Sequence, residues 1–143
     1  MTTIHSTALV DSTAQLAEDV VVGPGVIIEA GAVIGEGCRI QARAVITGQV
    51  RMGARNVVGY GAIIGADPQD FGFKPDTKSE VVIGDENIFR EYVTIHRGTK
   101  EGSVTTVGNN NFLMVGAHMG HNSSVGNRVV IANNCLLAGY VEV

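Results

Sequence analysis

The chain has 143 residues, 45% hydrophobic and 17% charged, with a formal net charge of −4. That suits one compact domain and excludes bulk positive charge as a means of holding nucleic acid or an anionic membrane. Aromatics are only 5%, tryptophan is absent, and 21 Val with 12 Ile stand against 5 Leu, a β-branched balance that argues against a helix bundle.

The start, Met1-Thr2-Thr3-Ile4-His5, has no basic region followed by an apolar stretch, so it does not read as a secretory signal. No apolar run approaches the ~20 residues of a membrane span. Cys38 and Cys135 make no disulfide framework. The expectation is a soluble, cytoplasmic protein without membrane insertion or nucleic-acid binding.

From Ile4 onward the chain repeats with a hexad period. Ile4, Val10, Leu16, Val22, Ile28, Ile34, Ile40, Ile46, Met52, Val58 and Ile64 are all aliphatic or Met. Chance alone gives eleven such hits with a probability on the order of 0.0002. The residue after each is often glycine (Gly23, Gly35, Gly53, Gly59, Gly65), and four after each comes a mostly small or β-branched residue such as Ala14, Val26, Ala32, Cys38 or Ala44. The phase breaks across Ala66 to Val82 and resumes at Ile83. It then runs through Phe89, Ile95, Val107, Leu113, Met119, Val125, Ile131, Leu137 and Val143, interrupted once by the polar stretch Gly98 to Thr106.

A hexad period fits neither a helix face nor a hairpin strand. It predicts an all-β parallel solenoid in which three hexads close one coil of ~18 residues, giving about seven coils. The aliphatic residue and the small residue four later should both point inward. Cys38 and Cys135 fall in that small slot and are expected to be buried. Asn109-Asn110, Asn127 and Asn133-Asn134 are expected at the corners.

Chemistry is expected where the repeat is broken. The excursion near 66–82 is polar and prolyl, with Asp67-Pro68-Gln69-Asp70 and Lys74-Pro75-Asp76, and reads as a loop able to reach a polar ligand. Three of the four histidines lie between residues 96 and 121, and His118 and His121 flank one corner. An imidazole there can act as general base toward an alcohol. Gly139 follows His121 by three hexads, one full coil, and so is expected directly above it, with an N–H able to face a developing oxyanion. His96, His118 and His121 also make a three-imidazole zinc set conceivable. A metal-holding solenoid like the γ-carbonic anhydrases, a related sugar acyltransferase with another donor, and a non-catalytic trimeric scaffold all remain open at this point.

Several segments carry a more specific resemblance: Pro68-Gln69-Asp70, Ile83-Gly84-Asp85, Arg90 through Thr99, Ala117-His118 to His121, and Ala132-Asn133-Asn134 through Gly139. In order and spacing they resemble the UDP-N-acetylglucosamine O-acyltransferases of lipid A biosynthesis, left-handed β-helix proteins. The resemblance covers essentially all of 1–143 as one β-helix domain, but only about the first half or more of a family member, and leaves the family's C-terminal helical region outside it. It implies a homotrimer with sites between subunits and no cofactor or bound metal. His121 becomes the base for the sugar 3-hydroxyl, Gly139 the oxyanion donor, and His118, Gln69 and Asp70 the sugar-holding residues. The donor is a hydroxyacyl chain on acyl carrier protein. Three residues depart from the family pattern: Asn122 where it has Asp, Tyr140 where it has His, and Gly72 where it has Lys, with Lys74 nearby. Residues 1–143 alone are expected to transfer weakly or not at all.

Overall fold

The computed structural model describes all 143 residues and contains twenty short strands and no helix. The strands form three sheets of seven, seven and six, and in each sheet the neighbours are parallel and three strands apart along the chain. The chain is therefore a three-sided parallel β-helix. Its first face starts at Thr3–Ile4, its second at Leu9–Val10 and its third at Gln15–Leu16.

Most strands have one residue facing out and one facing in. The inward residues are the repeat positions: Val22, Ile28, Ile34, Ile40, Ile46, Met52 and Ile64 are all buried, as are Val26, Ala32, Cys38, Ala44 and Ala62 in the small slots. They form one cluster of 26 buried residues along the axis. Fully burying a Val or Ile side chain stabilises by about 1.5–3 kcal/mol, so no coil is stable alone and the stack is the unit.

At most corners the chain turns with a left-handed residue, the third after the inward aliphatic. Gly25, Gly31 and Gly37 take this role, but so do Arg43, Glu86, Tyr92, Asn110 and Asn134, with φ of 63°, 59°, 59°, 57° and 55°. Asn109, Asn127 and Asn133 sit at corners as expected, but only the residue after each of them is left-handed. Asn109 and Asn127 instead accept, through Oδ1, the N–H of Asp85 and of Asn109 in the preceding coil, each at 2.7 Å. The glycine after an aliphatic residue has a different reason. A Cβ on Gly59 would lie 2.6 Å from the Phe89 carbonyl oxygen of the next coil, so only glycine lets the coils close to backbone hydrogen-bond distance.

One small slot is polar. Asn56, Asn87 and Asn111 are buried one above another. Asn87 N–H donates to Asn56 Oδ1 at 2.9 Å, Asn111 N–H to Asn87 Oδ1 at 3.0 Å, and Val129 N–H to Asn111 Oδ1 at 2.8 Å. Their amide groups donate to Gly84, Gly108 and Gly126 carbonyls. The column is fully bonded and therefore tolerable in an apolar core.

Cys135 corrects one expectation. It occupies the small inward slot as Cys38 does, yet it is exposed while Cys38 is buried. It lies in the coil of Leu136–Leu137, where Leu137 too is only partly buried.

On the second face the coils advance evenly from Ile28 to Ile46 to Ile64. The step lengthens between Ile64 and Ile95, lengthens less between Ile95 and Met119, and is regular again from Met119 to Leu137. Both extra lengths leave the stack at the same corner, between the second and third faces. The first excursion joins the strands Ile63–Ala66 and Glu80–Ile83, so it occupies 67–79 and is slightly shorter than the 66–82 expected. A bulge at Gly65, φ 94°, opens it.

Arg97 holds this loop down. It is 5% exposed and donates through Nε to Asp67 (3.0 Å), through one terminal nitrogen to the Thr77 carbonyl and Ser79 Oγ, and through the other to the Pro75 carbonyl, with Phe73 stacked at 4.8 Å. Replacing Arg97 by Met keeps the volume and removes these bonds. Urea unfolding should show a loss of about 2–3 kcal/mol, and limited proteolysis should cut within 67–79 first. An unchanged cleavage pattern would contradict the anchoring role.

Candidate active site

The corner that carries both excursions also gathers the histidines. A cleft of about 250 Å³ opens there, lined on its polar side by Gln69, His96, His118 and His121 and on the other by Leu136, Leu137, Ala138 and Gly139. Larger cavities lie elsewhere, one of about 720 Å³ between Arg43, Tyr60 and Tyr92, but that one offers no imidazole or carboxylate to move a proton. Four of the five residues expected in the site are therefore in one place. Asp70 is not. Its Oδ1 accepts the Gly72 N–H at 2.7 Å within the exposed loop, and it does not line the cleft. Lys74 does not line it either.

Gly139 sits over His121 as the coil arithmetic predicts. A Cβ there would lie 2.6 Å from His121 Cε1 and 2.7 Å from Nε2, so the ring occupies the space of a side chain at 139. The Gly139 N–H has no acceptor within the chain. Tyr140 closes the other side, its ring edge-to-face with His121 at 5.4 Å and 88°.

Hydrogen bonding fixes which nitrogen of His121 is free. Asn122 Oδ1 accepts the Thr99 N–H at 3.1 Å, so the amide atom pointing there is its oxygen. The same oxygen lies 3.0 Å from His121 Nδ1. Oxygen there can only accept, so Nδ1 carries the hydrogen and Nε2 keeps a lone pair. Asn122 thus does the orienting work of a carboxylate but supplies no charge to a protonated ring.

The neighbouring imidazoles are kept neutral. His118 pairs in register with Thr94, and Thr94 Oγ1 is 2.7 Å from its Nδ1. Burial pushes the His118 pKa down. His96 packs edge-to-face on His118 at 4.7 Å. Burial, followed by the adjacent His118 and His121, pushes its pKa down to about 4. No three His, Cys, Asp or Glu side chains here or elsewhere are arranged to hold a metal ion. The three-imidazole zinc set therefore has no supporting geometry.

This predicts a pH dependence of stability. A free imidazole titrates near 6.5. Between that pH and about 4 the unfolded chain takes up a proton that folded His96 refuses, so stability falls as pH falls through the window and is unaffected above it. His118 adds in the same direction. Melting temperatures measured from about pH 7.5 to 4 should decline, and His96→Gln should flatten the decline. An identical slope in the variant would contradict the assignment.

The sequence missed Thr94, Thr99 and the structural duties of His96 and Arg97. Thr94 was detectable as a polar residue in an outward slot beside His118. The others depend on the inserted segments, where the repeat no longer predicts position.

Comparison with known proteins agrees with this architecture. The profile described as bacterial transferase hexapeptide (six repeats) matches residues 1–35, 31–66 and 105–139. The chain belongs to the bacterial transferase hexapeptide family. It is 54% identical over 142 residues to the acyl-[acyl-carrier-protein]–UDP-N-acetylglucosamine O-acyltransferase of Stenotrophomonas maltophilia, covering 98% of this chain and 53% of that one. With the enzyme of the same name from Syntrophobacter fumaroxidans the identity is 48% over 137 residues, 95% of this chain and 53% of the relative. The crystal structure of Francisella novicida UDP-N-acetylglucosamine acyltransferase superposes with a TM-score of 0.94 at 41% identity, covering 97% of this chain and 51% of that one. So close a fit requires the same hand, and the helix is left-handed. The chain spans about half the length of the curated relatives it matches. No helix is long and apolar enough to cross a membrane.

Proposed function

We propose that this chain forms the β-helix of a cytoplasmic, homotrimeric O-acyltransferase. The enzyme moves a 3-hydroxyacyl chain from acyl carrier protein to the 3-hydroxyl of UDP-N-acetylglucosamine, the first step of lipid A biosynthesis. The observation that carries the reading is the constellation at one corner: His121 with Nδ1–H held by Asn122 and Nε2 free, stacked under an unbonded Gly139 N–H. The relatives above are named for acyl transfer from acyl carrier protein to an oxygen of UDP-N-acetylglucosamine, which supports the reading.

In the proposed reaction His121 Nε2 takes the proton of the 3-hydroxyl as the oxygen attacks the thioester carbonyl carbon. The oxyanion of the tetrahedral intermediate faces the Gly139 N–H. On collapse the C–S bond breaks, the carrier thiolate leaves, and the proton on His121 passes to it. Gln69 and His118 position the sugar from the cleft. Asp70, next to Gln69 in the exposed loop, meets the part of the substrate that extends beyond the cleft. Leu136, Leu137 and Ala138 offer an apolar wall to the start of the acyl chain. A cleft of about 250 Å³ is small for a ligand site, so nucleotide and acyl chain both extend beyond it.

The test is product analysis. In the longest reading frame that contains residues 1–143, incubation with UDP-N-acetylglucosamine and hydroxyacyl carrier protein should yield one 3-O-ester per carrier thiol released. Ester formation only from acyl coenzyme A, or none by folded protein, would overturn the donor or the activity respectively.

A further inference from the structure

The segment inserted between the strands Thr94–His96 and Val104–Val107 supplies no side chain to the chemistry above. Its Thr99, together with Thr105 of the strand that follows, converges on a single residue, Asn122. Thr99 donates to Asn122 Oδ1 twice, from its N–H at 3.1 Å and from its hydroxyl at 3.0 Å. Thr105, fully buried, accepts the Asn122 N–H on its Oγ1 at 2.9 Å and donates that hydroxyl to the His96 carbonyl at 2.7 Å. Asn122 itself is left-handed, φ 61°, a conformation uncommon for a non-glycine residue and one asparagine tolerates. Thr105 therefore grips this residue at its backbone and Thr99 at its amide, and the same amide oxygen accepts the His121 Nδ1–H.

We propose that the insertion and the strand after it form a positioning device, in which Thr99 and Thr105 act through Asn122 to fix the tautomer and orientation of His121. Two features make the device necessary here. An amide can present either its oxygen or its nitrogen, and a flipped Asn122 would donate to Nδ1 and leave the wrong nitrogen protonated. The Thr99 N–H opposes that flip because it can only donate, and the Thr99 hydroxyl adds a second bond to the same oxygen. Asn122 is also neutral, so no charge attraction orients the ring and the geometry must be held by hydrogen bonds alone. The side chains facing His121 from other elements, His96, His118 and Tyr140, include no carboxylate. The proposal rests on His121 as the base, but its primary readout needs no substrate.

The experiment is long-range ¹H–¹⁵N correlation of the histidine rings in the full chain, labelled with ¹⁵N-histidine, at a pH where the imidazoles are neutral. His121→Gln identifies the His121 signals. Wild type should show His121 with a protonated Nδ1 and a bare Nε2. Thr99→Val and Thr105→Val should each give a mixture of tautomers, with kcat for acyl transfer down about 10-fold and KM within about 2-fold. Thr99→Ser and Thr105→Ser, which keep the hydroxyls, should restore both. Asn122→Asp should keep the wild-type tautomer and Asn122→Leu should lose it. Thr99 is only half-buried, so its variants carry the test if Thr105→Val does not fold. A protonated Nε2 in wild type, or an unchanged tautomer in folded Thr99→Val and Asn122→Leu, would overturn the proposal. If the tautomer responds as stated while no acyl transfer occurs, the positioning device stands and the assigned reaction falls.

Discussion

Replacing His121 by Ala should lower acyl transfer by about 10²–10⁴-fold, the range a single general base supplies. The fold should survive. His121 is only half-buried, and the inward residue beside it, Met119, keeps its place in the core. The melting temperature should move by no more than about 2 °C. The loss should appear in kcat, because the ring acts on the proton in flight and the sugar is held by other groups. A variant that retains wild-type transfer would mean that another group removes the proton. His118 is the candidate, since burial keeps it neutral and it lines the same cleft.

Gly139→Ala should be nearly as damaging, by a different route. Gly139 is not left-handed, so alanine suits its backbone and the objection is steric. The new Cβ would lie 2.6 Å and 2.7 Å from two atoms of the His121 ring, well inside contact distance, and the ring must swing away. That displaces Nε2 and shields the N–H offered to the oxyanion. Loss of one oxyanion donor alone costs about 10²–10³-fold, and a displaced base adds to it. Wild-type activity in Gly139→Ala would contradict the stacking of residue 139 on His121.

The parts of this architecture that obey the regular three-hexad coil were legible before any coordinates. The inward columns follow from it, and so does the meeting of His121 with Gly139, because residues one coil apart must stack. The limits of legibility have the same origin. Thr99 and the anchoring bonds of Arg97 depend on inserted segments, where the coil from Ile64 to Ile95 and the coil from Ile95 to Met119 are both lengthened and position cannot be counted. The sequence does carry Asn56, Asn87 and Asn111 in an inward slot, but a buried amide looks improbable until its partners above and below are known. Cys135 shows the converse. The pattern gave it the correct slot, while its exposure depends on what stacks over the last coil. Asp70 was placed in the site by resemblance alone, and its own Asx turn to Gly72 holds its carboxylate in the loop.

Asn122 changes how the site should be regarded. A carboxylate beside a catalytic imidazole both orients it and stabilises its protonated form. The amide here retains the first function, because Thr99 compels its oxygen to face His121. The second is left to the edge-to-face contact with Tyr140 and to solvent.

The central claim is that His121 Nε2 receives the proton of the sugar 3-hydroxyl. A crystal structure of the protein with UDP-N-acetylglucosamine tests it most directly. The account predicts the 3-hydroxyl oxygen within about 3.2 Å of His121 Nε2, with the Gly139 N–H facing the same space. A sugar bound at another corner, or in this cleft with its 3-hydroxyl turned away from His121, would contradict it.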